Sequence, residues 1–118
     1  MAYNHSPTQR SRYSSTGFYP ELWEACWAYQ KGRCAICAVA LVQTKAEGTY
    51  YACADHVHLG KLPRGILCTM CNWAIGLYEN HQRPNGLVIG AYEHYLQAWP
   101  TRQFPRPTRA KRKYYRRE

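Results

Sequence analysis

The sequence predicts a small α+β domain held together by a bound metal ion, and three observations predict it. Two Cys-x-x-Cys pairs, Cys34-Ala-Ile-Cys37 and Cys68-Thr-Met-Cys71, stand thirty residues apart. Helical periodicity flanks the pairs, while short segments punctuated by Gly and Pro lie between them. Finally, a chain of 118 residues buries only about 60–65% of its unfolded surface, so it needs a staple beyond its own core.

The elements follow in order. Residues 1–17 are rich in Ser, Thr, Gln and Asn, carry no hydrophobic period, and read as a flexible leader. They also lack the apolar run of a signal peptide. A helix is expected over Pro20 to Gln30, because Pro suits a first turn and Lys31-Gly32 supplies a stop. Leu22, Cys26 and Tyr29 share one face of it, with Trp23 and Trp27 beside them. Gly32 to Cys37 forms the first metal-binding turn. A hairpin is expected next, with Val39 to Val42 going out, Thr49 to Cys53 returning, and Lys45 to Gly48 as its loop. That places Asp55 and His56 at or just past a strand end. Leu59 to Gly65 reads as a loop, since Gly60, Pro63 and Gly65 interrupt it. The second metal-binding turn leads into a helix from about Asn72 to Glu79, and Gln82 to Gly86 breaks it. A last helix from about Leu87 to Trp99 repeats Tyr92, Tyr95, Leu96 and Trp99 at three- and four-residue spacing, and Pro100 stops it. The organisation expected is a leader (1–17), a metal-stabilised domain (18–99) and a basic, disordered tail (100–118).

Charge narrows the partner. Residues 101–118 hold eight of the sixteen Lys and Arg and one of the seven acids, a local net charge of +7 against +2 for the rest. Arg109, Lys111, Arg112, Lys113, Arg116 and Arg117 surround Tyr114 and Tyr115. Such a block suits a polyanion, because cations release phosphate counterions and aromatic rings stack on exposed bases. The alternative is a solvated tail that only aids solubility. The longest apolar stretch, Ala35 to Val42, has eight residues against the ~18 needed to span a membrane. A soluble cytoplasmic protein without membrane contact is therefore expected.

The four paired cysteines supply the tetrahedral sulfur set that zinc prefers. All four thiolates would be ligands, leaving no open position, so this zinc would be structural. A rubredoxin-like iron site is the redox alternative. Cys26 and Cys53 are left over and read as small buried hydrophobes. Between the pairs stands Asp55-His56-Val57-His58, and Asn72 directly follows Cys71. An Asp carboxylate and an Asn carbonyl oxygen make a minimal pair for a hard cation such as Mg²⁺. On extended backbone His56 points away from Asp55, so one can hold the metal while the other takes a proton from water. The alternative is that Asp55 and His56 merely cap a turn.

The runs Gly32 to Cys37, Asp55 to His58, and Arg64-Gly-Ile-Leu-Cys-Thr-Met-Cys-Asn72 resemble the phage recombination endonuclease VII family of HNH, or His-Me finger, nucleases. The resemblance covers about residues 20–99. It implies a ββα-metal fold braced by zinc that cuts DNA phosphodiester bonds with Mg²⁺ or Mn²⁺, in a phage or prophage setting. By that resemblance Cys34, Cys37, Cys68 and Cys71 match the zinc ligands. Asp55 and Asn72 match the catalytic-metal ligands, His56 the general base, and His58 a second active-site histidine that orients the scissile phosphate. Lys61 and Arg64 match basic loop positions near the DNA. Three departures stand out. The Gly60-Lys61 step is shifted by one place, Ile75 stands where some members carry an acid, and one helix replaces the longer C-terminal region that builds an intertwined dimer. The expectation is a DNA endonuclease acting on four-way (Holliday) junctions or nicking duplex, with a homodimer through the C-terminal helices an open question. Two rivals remain: a catalytically inactive zinc-braced nucleic-acid binder, and a protein-interaction adaptor using the Tyr- and Trp-rich helices.

Overall fold

The computed structural model describes residues 12, 15–57, 61–80 and 89–105. The leader's first eleven residues, His58, His81 and the basic tail from 106 onward lie outside them. Among the described residues the order is helix α1 (Pro20–Tyr29), strand β1 (Cys53–Val57), strand β2 (Leu62–Leu67), helix α2 (Thr69–Glu79) and helix α3 (Ile89–Gln97). Short 3₁₀ turns sit at Lys45–Glu47 and Pro100–Gln103. The expected α+β class is what these elements form: a two-stranded antiparallel sheet with helices packed against it.

Helix α1 begins on Pro20 as expected. It ends in a Schellman motif: Gly32 N–H donates to Trp27 O at 3.0 Å and Lys31 N–H to Ala28 O at 3.1 Å. Lys31 and Gly32 both have positive φ, 57° and 66°, and Gly32 lies against the Trp27 ring. Leu22, Trp23 and Cys26 are buried, but Tyr29 is 54% exposed. It turns edge-on to Phe104, ring centroids 5.9 Å apart, because the buried stripe drifts off Tyr29 by the last turn.

Two expectations about the sheet are corrected. The outer hairpin over residues 39–53 is not formed. Its segments make only isolated bridges, Arg33 with Ala40 and Val42 with Tyr51, around the 3₁₀ turn. The hairpin lies one step later, with Cys53 opposite Leu67, Asp55 opposite Gly65 and Val57 opposite Leu62. Asp55 and His56 are therefore inside β1, and Pro63, Arg64 and Gly65 are inside β2. Pro63 and Gly65 read as loop residues because they weaken a strand in isolation. Here tertiary contacts reward both: the Pro63 carbonyl accepts from Thr101 Oγ1 at 2.7 Å, and Gly65 leaves room for α3.

Helix α2 starts three residues before the expected Asn72, because Cys68 is its N-cap and its Sγ accepts the Cys71 N–H at 3.4 Å. The second metal-binding turn is thus the first turn of the helix. Pro100 ends α3 without releasing the chain. Thr101 is buried, Arg102 stacks over the Trp99 ring at 3.9 Å, and Tyr19 Oη donates to Pro105 O at 3.2 Å. Residues 100–105 therefore belong to the packed body and not to a tail. At the other end Arg12 lies 3.6 Å over the Trp23 ring, where burial lowers its guanidinium pKa.

The core joins Phe18, Leu22, Trp23 and Cys26 to Ile66 and Leu67 of β2, Ala74 and Ile75 of α2, and Tyr92 and Tyr95 of α3. Cys26 is fully buried, as a small hydrophobe should be, whereas Cys53 is half-buried on β1. Among the described residues, Tyr92 Oη is the buried side-chain polar atom without a hydrogen-bond partner. Leaving such a hydroxyl unsatisfied costs about 1–3 kcal/mol. Tyr92→Phe is therefore expected to keep the fold and raise the midpoint of thermal unfolding. A lowered midpoint would mean that the hydroxyl does have a partner in solution.

Candidate active site and metal centre

Gln30 ties α1 to β2 and to the first metal-binding turn. Its Nε2 donates to Arg33 O and Ile66 O, both at 2.7 Å, and its Oε1 accepts the Ile66 N–H at 2.9 Å. A side-chain amide thus pairs with β2 as another strand would. Ala35 N–H also donates to Ile66 O, at 3.1 Å. Nothing in the local sequence marks Gln30, since its partner lies thirty-six residues away.

The four predicted cysteines come together. The sulfur atoms of Cys34, Cys37, Cys68 and Cys71 all lie within 4.8 Å of one another, and Cys37 Sγ to Cys68 Sγ is 3.8 Å. Sulfurs held tetrahedrally at ~2.3 Å from zinc are separated by ~3.8 Å, so the cluster fits a metal ion. Ala38, just after Cys37, takes the left-handed conformation at φ 64°, which turns the chain back so that Cys34 N–H reaches Val39 O at 2.9 Å. The protons of this cluster are shared. The hydrogen bond with Cys71 and amides from both turns hold Cys34 down at about 5, while Cys71, bonded to that thiolate, is pushed up. Burial raises Cys68 to about 11.

Asp55 is the centre of the second cluster. Strand alternation turns it inward, and it is 4% exposed. Arg64 Nε donates to Asp55 Oδ2 at 2.8 Å, Arg64 Nη2 to Oδ1 at 3.0 Å, and Tyr95 Oη to Oδ2 at 2.6 Å. Arg64 is shared: Nη1 donates to Glu79 Oε2 and Nη2 to Oε1, each at 2.8 Å. Burial would lower the Arg64 pKa, but hydrogen bonds and charge from Glu79 and Asp55 outweigh it and hold the guanidinium charged. Burial, then the Asp55 charge and hydrogen bond, raise Tyr95 well above its usual range, so it stays a donor.

A bulge creates this arrangement. The register shifts between Asp55, opposite Gly65, and His56, opposite Pro63, so Arg64 is the extra residue of β2. Arg64 was expected on a loop beside DNA. It is instead 3% exposed in a strand, and four of its hydrogen bonds are internal. Its side chain is 4% exposed and is turned to Asp55 and Glu79. Gly65 matters for space: a Cβ there would sit 2.8 Å from Tyr95 Oη and 3.0 Å from Pro100 Cδ. Gly65→Ala is expected to push Tyr95 off Asp55 and cost about 1–3 kcal/mol, read by denaturant unfolding. A neutral result would show that α3 yields without strain.

His56 points away from Asp55 and is half-buried. Its Nδ1 lies 3.3 Å from Ala54 O. A carbonyl only accepts, so Nδ1 is the donor in this contact. Asn72 is half-buried in the first turn of α2, its N–H bonded to Cys68 O at 2.9 Å. The neighbouring Met70 and Trp73, three residues apart, are 61% and 60% exposed, a ridge that the sequence reading left aside. Lys61 is exposed, with φ 49°, at the turn into β2.

A carboxylate together with a carboxamide has the donor chemistry for a hard divalent cation. The guanidinium on Asp55 is itself a stand-in cation, and three of the carboxylate's roughly four lone-pair positions are in use. Asp55 therefore fits a metal once Arg64 yields.

The model of the recombination endonuclease VII family matches residues 8–95. The chain belongs to that family. It is also 38% identical over 72 residues to the Gene 59 protein of Mycobacterium phage D29, an alignment that covers 57% of this chain and 41% of that relative. The chain thus spans less than half of the relative's length. No solved structure matches. No described helix of this endonuclease VII family member is long and apolar enough to cross a membrane.

Proposed function

We propose that this protein is a metal-dependent DNA endonuclease of the HNH, or His-Me finger, type that hydrolyses phosphodiester bonds. Its substrate is branched DNA such as a four-way junction, or duplex that it nicks. Family membership supports the class of reaction. The observation that carries the mechanism is the placement of Asp55 and His56 on opposite faces of one strand, with α2, which bears Asn72 in its first turn, packed against that strand.

In this reading His56, through Nε2, takes the proton of the attacking water, a contribution of roughly 10²–10⁴ in rate. Asp55 and Asn72 would hold one Mg²⁺ or Mn²⁺, and such an ion would supply stabilisation of negative charge on the phosphate and leaving oxygen. His58 orients the scissile phosphate. The four cysteines hold a structural zinc that keeps α2 and the first metal-binding turn together. Lys61 and the cations at 109–117 contact the DNA backbone, and Trp73 offers an aromatic face for an unstacked base. Paired cuts across a junction require a homodimer. An ultracentrifugation run at working concentration tests that separately.

One observation favours a second reading, a zinc-braced binder without activity: Arg64 already occupies Asp55. Incubating the zinc-loaded protein with supercoiled plasmid and a synthetic four-way junction, with Mg²⁺ or Mn²⁺ and with EDTA, separates the two. Cleavage that needs added metal supports the nuclease. Tight binding without cleavage under every metal leaves the binder.

A further inference from the structure

Arg64 has two carboxylate partners where neutralisation of Asp55 requires one. Counting Asp55, Glu79 and Arg64, the cluster carries a surplus negative charge. The two ion pairs also differ. Asp55 is met side-on through Nε and Nη2 inside the core, and Glu79 end-on through Nη1 and Nη2. The Glu79 side chain is 40% exposed, against 5% for Asp55. Glu79 is the last residue of α2, so it can follow a shifting guanidinium at little cost. Asp55 is held in place by β1 and by Tyr95.

A guanidinium and a divalent ion cannot share one buried carboxylate without like-charge repulsion at contact distance. We infer that Arg64 is an exchangeable counter-cation: it guards Asp55 while the metal position is empty and withdraws onto Glu79 when Asp55 takes a divalent ion. The inference rests on the reading of Asp55 as a metal ligand. In the exchange Arg64 gives up its Nε and Nη2 contacts to Asp55 and keeps the two 2.8 Å contacts to Glu79. Tyr95 keeps its hydrogen bond and holds the freed carboxylate in place. Glu79 thereby becomes a positioning residue for metal uptake. Without it, Arg64 has only Asp55, and the divalent ion must compete with an undivided ion pair. The same cluster protects the unloaded protein from a bare buried carboxylate, whose isolation would be strongly destabilising.

The test is Mn²⁺ binding to the full-length, zinc-loaded chain, followed by the loss of the free-Mn²⁺ electron paramagnetic resonance signal, with no DNA present. Glu79→Gln is expected to weaken Mn²⁺ binding about three- to fivefold, the scale of one partly exposed ion pair. Thermal unfolding should be nearly unchanged, because Glu79 is half in solvent. In an Arg64→Gln background the Glu79→Gln effect should vanish. If the double variant retains it, Glu79 acts only as a remote negative charge and the exchange is overturned. If Arg64→Gln does not fold, Glu79→Gln alone can still overturn the exchange. Unchanged or tighter binding in that variant, with Asp55→Asn abolishing binding, overturns the exchange and leaves the metal reading intact. Wild type that takes up no Mn²⁺, or Asp55→Asn that binds as wild type, overturns the metal reading and the exchange with it.

Discussion

Cys71→Ser, or removal of zinc by a chelator, is expected to abolish cooperative folding and not merely to lower stability. A structural zinc in small modules contributes about 10–16 kcal/mol of binding free energy, comparable with the ~5–15 kcal/mol total stability of a typical domain. Here the metal position is built from both sides of the fold. Cys34 and Cys37 come from the turn after α1, while Cys68 and Cys71 come from the junction of β2 and α2. Without the ion, four sulfurs gathered within 4.8 Å must share protons or repel one another. Cys68 would lose its ligand role while still capping α2, so that helix should retain some local order after the tertiary contacts fail. Far- and near-ultraviolet circular dichroism during titration with a chelator reads both. Near-ultraviolet signal should disappear as one zinc per chain is released. A cooperative melt that survives complete removal of zinc would show that the aromatic core is sufficient alone.

The second large effect is on the reaction. His56→Ala is expected to lower single-turnover cleavage of a junction by about 10²–10⁴-fold at saturating metal, with DNA affinity and thermal stability close to wild type. The small stability change follows from position: His56 is half-buried on the outer face of β1, and its ring bonds a neighbouring carbonyl. Asp55→Asn makes the contrast. It leaves the charged Arg64 and the Tyr95 hydroxyl facing a neutral amide in the core, and breaking a buried pair costs about 3–5 kcal/mol. Loss of activity in that variant would be mixed with loss of structure. Cleavage by His56→Ala at the wild-type rate would remove His56 as the base and move attention to His58.

What could be read in advance follows from how local each signal is. The cysteine pairs carry their own geometry, since three-residue spacing places two sulfurs on one turn, and two such turns close one site. Helices α1 and α2 were legible from Pro20, from Lys31-Gly32, and from apolar spacing, with errors of a few residues at their ends. Alternation alone placed Asp55 and His56 on opposite sides of the backbone. The hairpin was not legible. Pro63 and Gly65 are strand breakers by local preference, and only Thr101, Tyr95 and Pro100 make them useful where they stand.

The sequence by itself determined which four cysteines could share one metal position, the α+β class and the polar trio Asp55, His56 and Asn72, because each depends on residue type and short spacing. Tertiary structure alone decided that Arg64 faces inward to Asp55 and Glu79 and not outward to solvent. A one-residue bulge opposite Asp55 sets that direction, and Glu79 and Tyr95 arrive from two separate helices. Neither a register shift nor a contact across forty residues leaves a trace in local sequence. The charge of Arg64 could be read, but the carboxylates that consume it could not.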